Sequence, residues 1–128
     1  MAHIALIDDE RLVRESFARL LDSRDHVTEC FESSEQFLLA APAPDYDCLI
    51  VDFRLPGRNG CELIRELRTQ EVAIPVILLS GNVDESVFAQ LEGVDGVSIL
   101  DKPCLSADLF QAVDECTTAD LPRTSTEC

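Results

Sequence analysis

The sequence predicts an α/β domain of five consecutive βα units, (βα)5, on a parallel five-stranded sheet in the order 2-1-3-4-5. Three observations predict it. Four short apolar runs recur, and with one alternating segment they start about 20–28 residues apart, the size of right-handed βαβ units. Each run is continuous rather than alternating, as in strands covered by helices on both faces. Between the runs apolar residues fall at helical spacing.

In order, Ile4-Ala5-Leu6-Ile7 is the first strand, and Leu12, Val13, Phe17, Leu20 and Leu21 form the apolar stripe of the first helix, with Arg11, Arg14, Glu15 and Arg19 on its surface. His26-Val27-Thr28-Glu29-Cys30-Phe31 alternates, which suits an edge strand. Ser34 to Leu39 is a short helix that stops before Pro42-Ala43-Pro44, since proline cannot continue it. Cys48-Leu49-Ile50-Val51 is the third strand, and Leu63, Ile64 and Leu67 line the next helix. Val76-Ile77-Leu78-Leu79 is the fourth strand, followed by a helix carrying Val87, Phe88 and Leu91, with Asn82 or Asp84 as cap. Val97-Ser98-Ile99-Leu100 is the fifth strand. The last helix starts at Ser106 or at Pro103-Cys104 and has the cleanest stripe, Leu105, Leu109, Ala112, Val113 and Cys116. The pattern ends at residue 117, and residues 118–128 read as a polar tail or linker.

The 128 residues suit one domain. No apolar run approaches the ~20 residues of a membrane span, and the first residues lack the basic and long apolar segments of a secretory signal. The expected location is the cytoplasm. Acids outnumber bases 25 to 10, a net charge of −15. Such a chain repels phosphate backbones and anionic lipid, so neither nucleic acid nor membrane is expected to bind it directly. The six cysteines include no CxxC pair and are expected to be reduced thiols. His3 and His26 are not spaced for zinc.

The chemistry sits just past the strands. In an open α/β sheet these positions gather on one edge, where ligands bind, with the reversal point between strands 1 and 3. Asp8, Asp9 and Glu10 follow strand 1, Asp52 follows strand 3, Ser80-Gly81 follows strand 4, and Asp101-Lys102-Pro103 follows strand 5. Carboxylates crowded there repel one another by about 4 kcal/mol per pair at ~4 Å and an effective dielectric of 20. A protein relieves this by protonating one or by supplying a cation. All-oxygen ligands select a hard ion such as Mg2+. A cation, an ammonium and a hydroxyl together suit a phosphoryl group. Lys102 is the sole lysine among ten basic residues, and a compact ammonium is a good point contact for phosphate. Each element also has an ordinary reading. The acids cap a helix, Asp52 starts a turn, and Ser80-Gly81-Asn82 and Lys102-Pro103 are loops. Their coincidence at four strand ends favours a site.

These motifs together — Asp8-Asp9, Asp52 with Arg54-Leu55-Pro56-Gly57 and Gly60, Ser80-Gly81, and Lys102-Pro103 — resemble the receiver domain of two-component response regulators. The resemblance covers roughly residues 3–117, and it is nearest to receivers of the nitrogen-fixation regulator type, which drive helix-turn-helix outputs. It implies a flavodoxin-like three-layer sandwich over residues 1–117. It implies that Asp52 is the phosphoacceptor for a histidine kinase or phosphotransfer protein, in a Mg2+-dependent reaction. Asp9, Asp52, the backbone carbonyl of Arg54 and, through water, Asp8 would hold the Mg2+. Ser80 and Lys102 would contact the phosphoryl group, and a cis peptide would precede Pro103. The resemblance also implies a switch face. There Ile99 stands where receivers usually carry Phe or Tyr, so a smaller or different rearrangement is expected.

The output would be a protein contact: a kinase near Arg11, Leu12, Arg14 and Glu15, and a downstream protein, linked output domain or second copy. The chain would catalyse only its own phosphorylation and dephosphorylation. Two other readings are a phosphorylation-independent interaction module and a Mg2+-dependent aspartyl-phosphate phosphohydrolase. The latter normally needs a general acid two residues past the nucleophile, where Arg54 stands, and a cap that 128 residues leave no room for. A flavin-binding sheet would want a phosphate loop rich in Gly, Ser and Thr after strand 1, where Asp8-Asp9-Glu10 repels phosphate.

Overall fold

The structure is a computed structural model that describes residues 2–40, 46–55, 57–81, 85–102 and 106–118. Five strands alternate with five helices: β1 (His3–Ile7), α1 (Arg11–Asp22), β2 (Val27–Phe31), α2 (Ser34–Ala40), β3 (Cys48–Asp52), α3 (Gly60–Thr69), β4 (Val76–Ser80), α4 (Glu85–Gln90), β5 (Val97–Asp101) and α5 (Ser106–Thr118). The strands form one parallel sheet in the order β2-β1-β3-β4-β5, as expected from the sequence. The order reverses between β1 and β3, which therefore splay their following loops apart and leave a crevice.

Side-chain alternation along the strands divides the apolar residues between two faces. Ile4, Leu6, Cys48, Ile50, Ile77 and Leu79 meet Leu21 of α1 and Leu109, Ala112, Val113 and Cys116 of α5. Ala5, Ile7, Leu49, Val51, Val76 and Leu78 meet Phe37 of α2, Cys61, Leu63, Ile64 and Leu67 of α3, and Val87 of α4. The result is three layers, helices over both faces of the sheet. The central strands β3 and β4 are buried at every position, each Leu or Ile contributing roughly 1.5–3 kcal/mol by leaving water.

Local chemistry sets the helix ends. Asn59 caps α3 by accepting a bond from the Glu62 N–H, while the Glu62 carboxylate accepts one from the Asn59 N–H, both 2.8 Å, a reciprocal box at the N-terminus. Glu10 occupies the N-cap of α1 with no side-chain cap bond, and its N–H is taken by the Asp8 carboxylate.

Four expectations need correction. Leu12 is not part of the buried stripe of α1; it is 75% exposed, and Phe88 on α4 is 57% exposed. A helix lying on a sheet buries only a narrow stripe, and Leu12 and Phe88 fall outside it. Arg14 is not a surface residue, because only 15% of its side chain is exposed. Residues Val97–Leu100 are half-buried rather than enclosed, since β5 is the outer strand with a neighbour on one side only. β2 is the other edge, as its alternation suggested, and all of it but Phe31 is exposed or half-buried. The caps Asn82 and Asp84, the Pro42–Pro44 stop, Pro103, Cys104, Leu105 and residues 119–128 lie outside the described residues. Among the described residues, Cys30, Cys48, Cys61 and Cys116 are in no disulfide.

Candidate phosphoryl and metal site at the carboxyl edge of the sheet

Asp52 is the last residue of β3 and Ser80 the last of β4, so sheet pairing carries both to the same rim. Asp8 follows β1 directly, and its N–H donates to the Phe31 carbonyl at the end of β2 (3.1 Å). Lys102 follows β5 and donates its N–H to the Ser80 carbonyl (2.9 Å). Four separate strand ends thus deliver one constellation. Asp8, Asp52 and Ser80 are buried, at 0%, 5% and 3% exposure, whereas Asp9 is exposed.

The Lys102 ammonium lies 3.1 Å from Asp52 Oδ2 and 3.8 Å from Asp8 Oδ2. Asp52 Oδ1 accepts a long bond from the Arg54 N–H (3.4 Å), and Asp8 Oδ1 accepts one from the Glu10 N–H (2.8 Å). Among the described residues Asp8 Oδ2 is buried without a hydrogen-bond partner, its one charged neighbour being the Lys102 ammonium. One carboxylate oxygen each from Asp8, Asp9 and Asp52 lies within 4.8 Å of the other two. Above them opens a cleft of about 510 Å3 lined by Asp9, Glu10, Asp52, Arg54, Gly81 and Lys102. The expected residues Asp8, Asp9, Asp52 and Lys102 are therefore together, Arg54 is at the same cleft, and Ser80 ends the neighbouring strand with its backbone carbonyl bonded to the Lys102 N–H. Ile99 is not in it. It pairs with Leu78 in the middle of the outer strand and packs half-buried against the α2–α3–α4 core.

Burial pushes the Asp8 carboxyl above its usual range; the Glu10 N–H opposes the rise, the Asp52 charge adds to it, Lys102 opposes and Asp9 adds. One lysine does not balance three carboxylates. The oxygen donors and the unpartnered Asp8 Oδ2 fit a hard divalent cation, which prefers such ligands and lowers their mutual repulsion.

The backbone behind the site permits no freedom at Gly60. A Cβ there would stand 2.8 Å from the carbonyl oxygen of Asp52 and 2.8 Å from Leu78 Cδ1. The start of α3 rests on the peptide of Asp52, and the Gly60 N–H donates to the Phe53 carbonyl (3.0 Å). Arg14 was missed by sequence reasoning. Its guanidinium donates to the backbone carbonyl of Asp8 at 2.7 Å. An arginine on the flank of an apolar stripe carries no signal that it turns inward.

Comparison with known proteins agrees with this arrangement. A family model described as the response regulator receiver domain matches residues 4–114. The chain is 32% identical over 101 residues to the transcriptional regulatory protein FixJ of Bradyrhizobium diazoefficiens, covering 79% of this chain and 49% of that protein. It is 34% identical over 118 residues to the sensory/regulatory protein RpfC of Xanthomonas campestris, covering 89% of this chain and 16% of that protein. The chain thus spans half or less of these relatives. Full-length FixJ from B. japonicum superposes with a TM-score of 0.87 at 28% identity, over 98% of this chain and 62% of that one. The chemotaxis protein CheY4 of Vibrio cholerae shares the fold, with a TM-score of 0.82 at 20% identity over 91% of this chain and 98% of that one. Sheet order, the acids past β1 and β3, and a match over nearly the whole length converge: the chain belongs to the receiver domains of two-component response regulators.

Proposed function

We propose that the protein is a phosphoacceptor switch in which Asp52 takes a phosphoryl group from the phosphohistidine of a histidine kinase or phosphotransfer protein. The observation that supports this most is the Lys102 ammonium 3.1 Å from the Asp52 carboxylate, at a cleft that Asp9, Glu10 and Arg54 also line. A carboxylate oxygen of Asp52 attacks phosphorus. The new O–P bond forms as the P–N bond to the donor imidazole breaks, and the electron pair leaves on nitrogen. Lys102, already against Asp52, neutralises the phosphoryl oxygens, and Ser80 at the neighbouring strand end donates a hydrogen bond to one of them. Asp8, Asp9, Asp52 and the Arg54 carbonyl would hold Mg2+. Bound there, the ion supplies positive charge that offsets the carboxylates and the transferred group.

An acyl phosphate at Asp52 carries about two negative charges where the carboxylate carried one, and spreads them over a bulkier group, enough to bias a two-state surface. The surface contains Ser80, Lys102 and the strand bearing Ile99, and its reader is a downstream protein, a linked output domain or a second copy. Residues 1–117 form the switch and residues 118–128 a tail or linker. The kinase would dock beside Arg11, Leu12 and Glu15, where Leu12 presents an exposed apolar side chain. This chain by itself does not contact nucleic acid or membrane, acts in the cytoplasm, and turns over no separate substrate.

Incubation with acetyl phosphate and Mg2+ tests the reading. An adduct of about 80 Da, the mass of a transferred phosphoryl group, is expected on the intact protein and not on Asp52→Asn. An adduct that survives this substitution, or none in the wild type, overturns the assignment. Multiple turnover of a phosphate ester would point to a phosphohydrolase instead.

A further inference from the structure

The turn carrying Asp8 and Asp9 is held by more than sheet pairing. Arg14, one turn into α1, sends its guanidinium back under the turn and donates to the Asp8 carbonyl at 2.7 Å. Its other terminal nitrogen lies 4.0 Å from the Glu32 carboxylate, just past β2. The side chain is 15% exposed, against 80% for Arg11 on the same helix. The cation is thus largely withdrawn from water to grip one peptide, and that peptide carries the only buried carboxylate oxygen of the described residues without a hydrogen-bond partner. Holding a guanidinium mostly out of water costs hydration, so a half-buried one bonded to a single peptide points to a specific task.

We propose that Arg14 is the positioning residue of the metal site. Its bond to the Asp8 carbonyl fixes the β1–α1 turn, so that the Asp8 and Asp9 carboxylates stay aimed at Asp52. This rests on the Mg2+ site proposed above. Arg14 touches no reacting atom; it acts through the peptide of Asp8, as outer partners orient metal ligands elsewhere.

Titration with Mg2+ alone by isothermal calorimetry, with Tm in Mg2+-free buffer as a second readout, tests it. Arg65 is the control. It too donates from a guanidinium to backbone carbonyls, those of Gln90 (2.7 Å) and Glu92 (3.1 Å), but beside α4 and away from the acids. Arg14→Ala is expected to weaken Mg2+ affinity by about tenfold, the lower range for lost outer-shell partners, with Arg14→Lys restoring part of it. Arg65→Ala is expected to lower Tm and leave Mg2+ affinity as in the wild type. If Arg14→Ala does not fold, Arg14→Lys decides, with about threefold weakening expected from the loss of the fork. Mg2+ affinity unchanged in the folded Arg14 variants, or weakened equally by Arg65→Ala, would mean that Arg14 only braces the fold. A wild type that binds no Mg2+ overturns the metal site itself, a result distinct from both.

Discussion

The middle of the sheet and the strand ends at its carboxyl rim are both buried and chemically opposite. Ile50 and Leu78 are wholly buried among apolar neighbours, and two residues on, Asp52 and Ser80 are almost as buried. Asp8, directly after Ile7, is as inaccessible as any core residue. Burial stabilises the first group and penalises the second, because a carboxylate loses hydration that a neighbouring lysine only partly replaces. The strands therefore serve two purposes along one axis, cohesion in mid-strand and stored electrostatic cost at the end. On the proposed function, that stored cost is what would make the rim responsive to an added cation or phosphoryl group.

Substitutions at the two levels sharpen this contrast. The largest effect is expected from Ile50→Ala, which opens a cavity between the sheet, α1 and α5 and should cost about 2–5 kcal/mol in urea unfolding. A loss below about 1 kcal/mol would mean that the site collapses around the deletion. Asp8→Asn, equally buried, is expected to act in the opposite direction and raise Tm in Mg2+-free buffer. The sign follows from the raised Asp8 carboxyl. Its folded-state affinity for protons exceeds that of the unfolded chain, so the charged form destabilises the fold at neutral pH. The advantage of Asn over Asp should shrink as pH falls through the folded-state value toward the ordinary 3.8, where wild-type Asp8 becomes neutral in the folded protein. An advantage independent of pH would break the comparison. Mg2+ is expected to narrow the same gap by stabilising the wild type, by about 2.7 kcal/mol at a hundred times its Kd, and to leave Asp8→Asn nearly unmoved. The smallest effect is expected at Leu39, 87% exposed near the end of α2; Leu39→Gln should shift stability by less than about 0.5 kcal/mol.

The rim was easier to read from the sequence than the surfaces around it. A strand buried on both faces announces itself as a continuous apolar run, and the first polar residue beyond it must lie at the sheet edge. Asp8, Asp52, Ser80 and Lys102 could be placed together on that logic before any geometry. Helix faces obey a weaker rule. Leu12 and Phe88 are apolar and near helical register, yet solvent reaches them, because apolar residues on a protein surface are common and a short helix contains too few turns to fix which face is inward. Val97 to Leu100 read like Val76 to Leu79, and only their outer place in the sheet leaves them half covered. Arg14 was invisible for a different reason: its role depends on a carbonyl six residues earlier, and backbone acceptors are the same at every position.

The sheet also separates the apolar interior into two compartments. One is sealed by α1 and α5 and the other by α2, α3 and α4, and alternation along each strand assigns neighbouring side chains to different sides. Defects such as Leu63→Ala and Leu109→Ala would lie a full sheet thickness apart, far enough for their free energies to add independently. The helical layer holding α5 can thus accumulate change during divergence without disturbing the packing behind α3, while both layers remain tied to the same acidic rim.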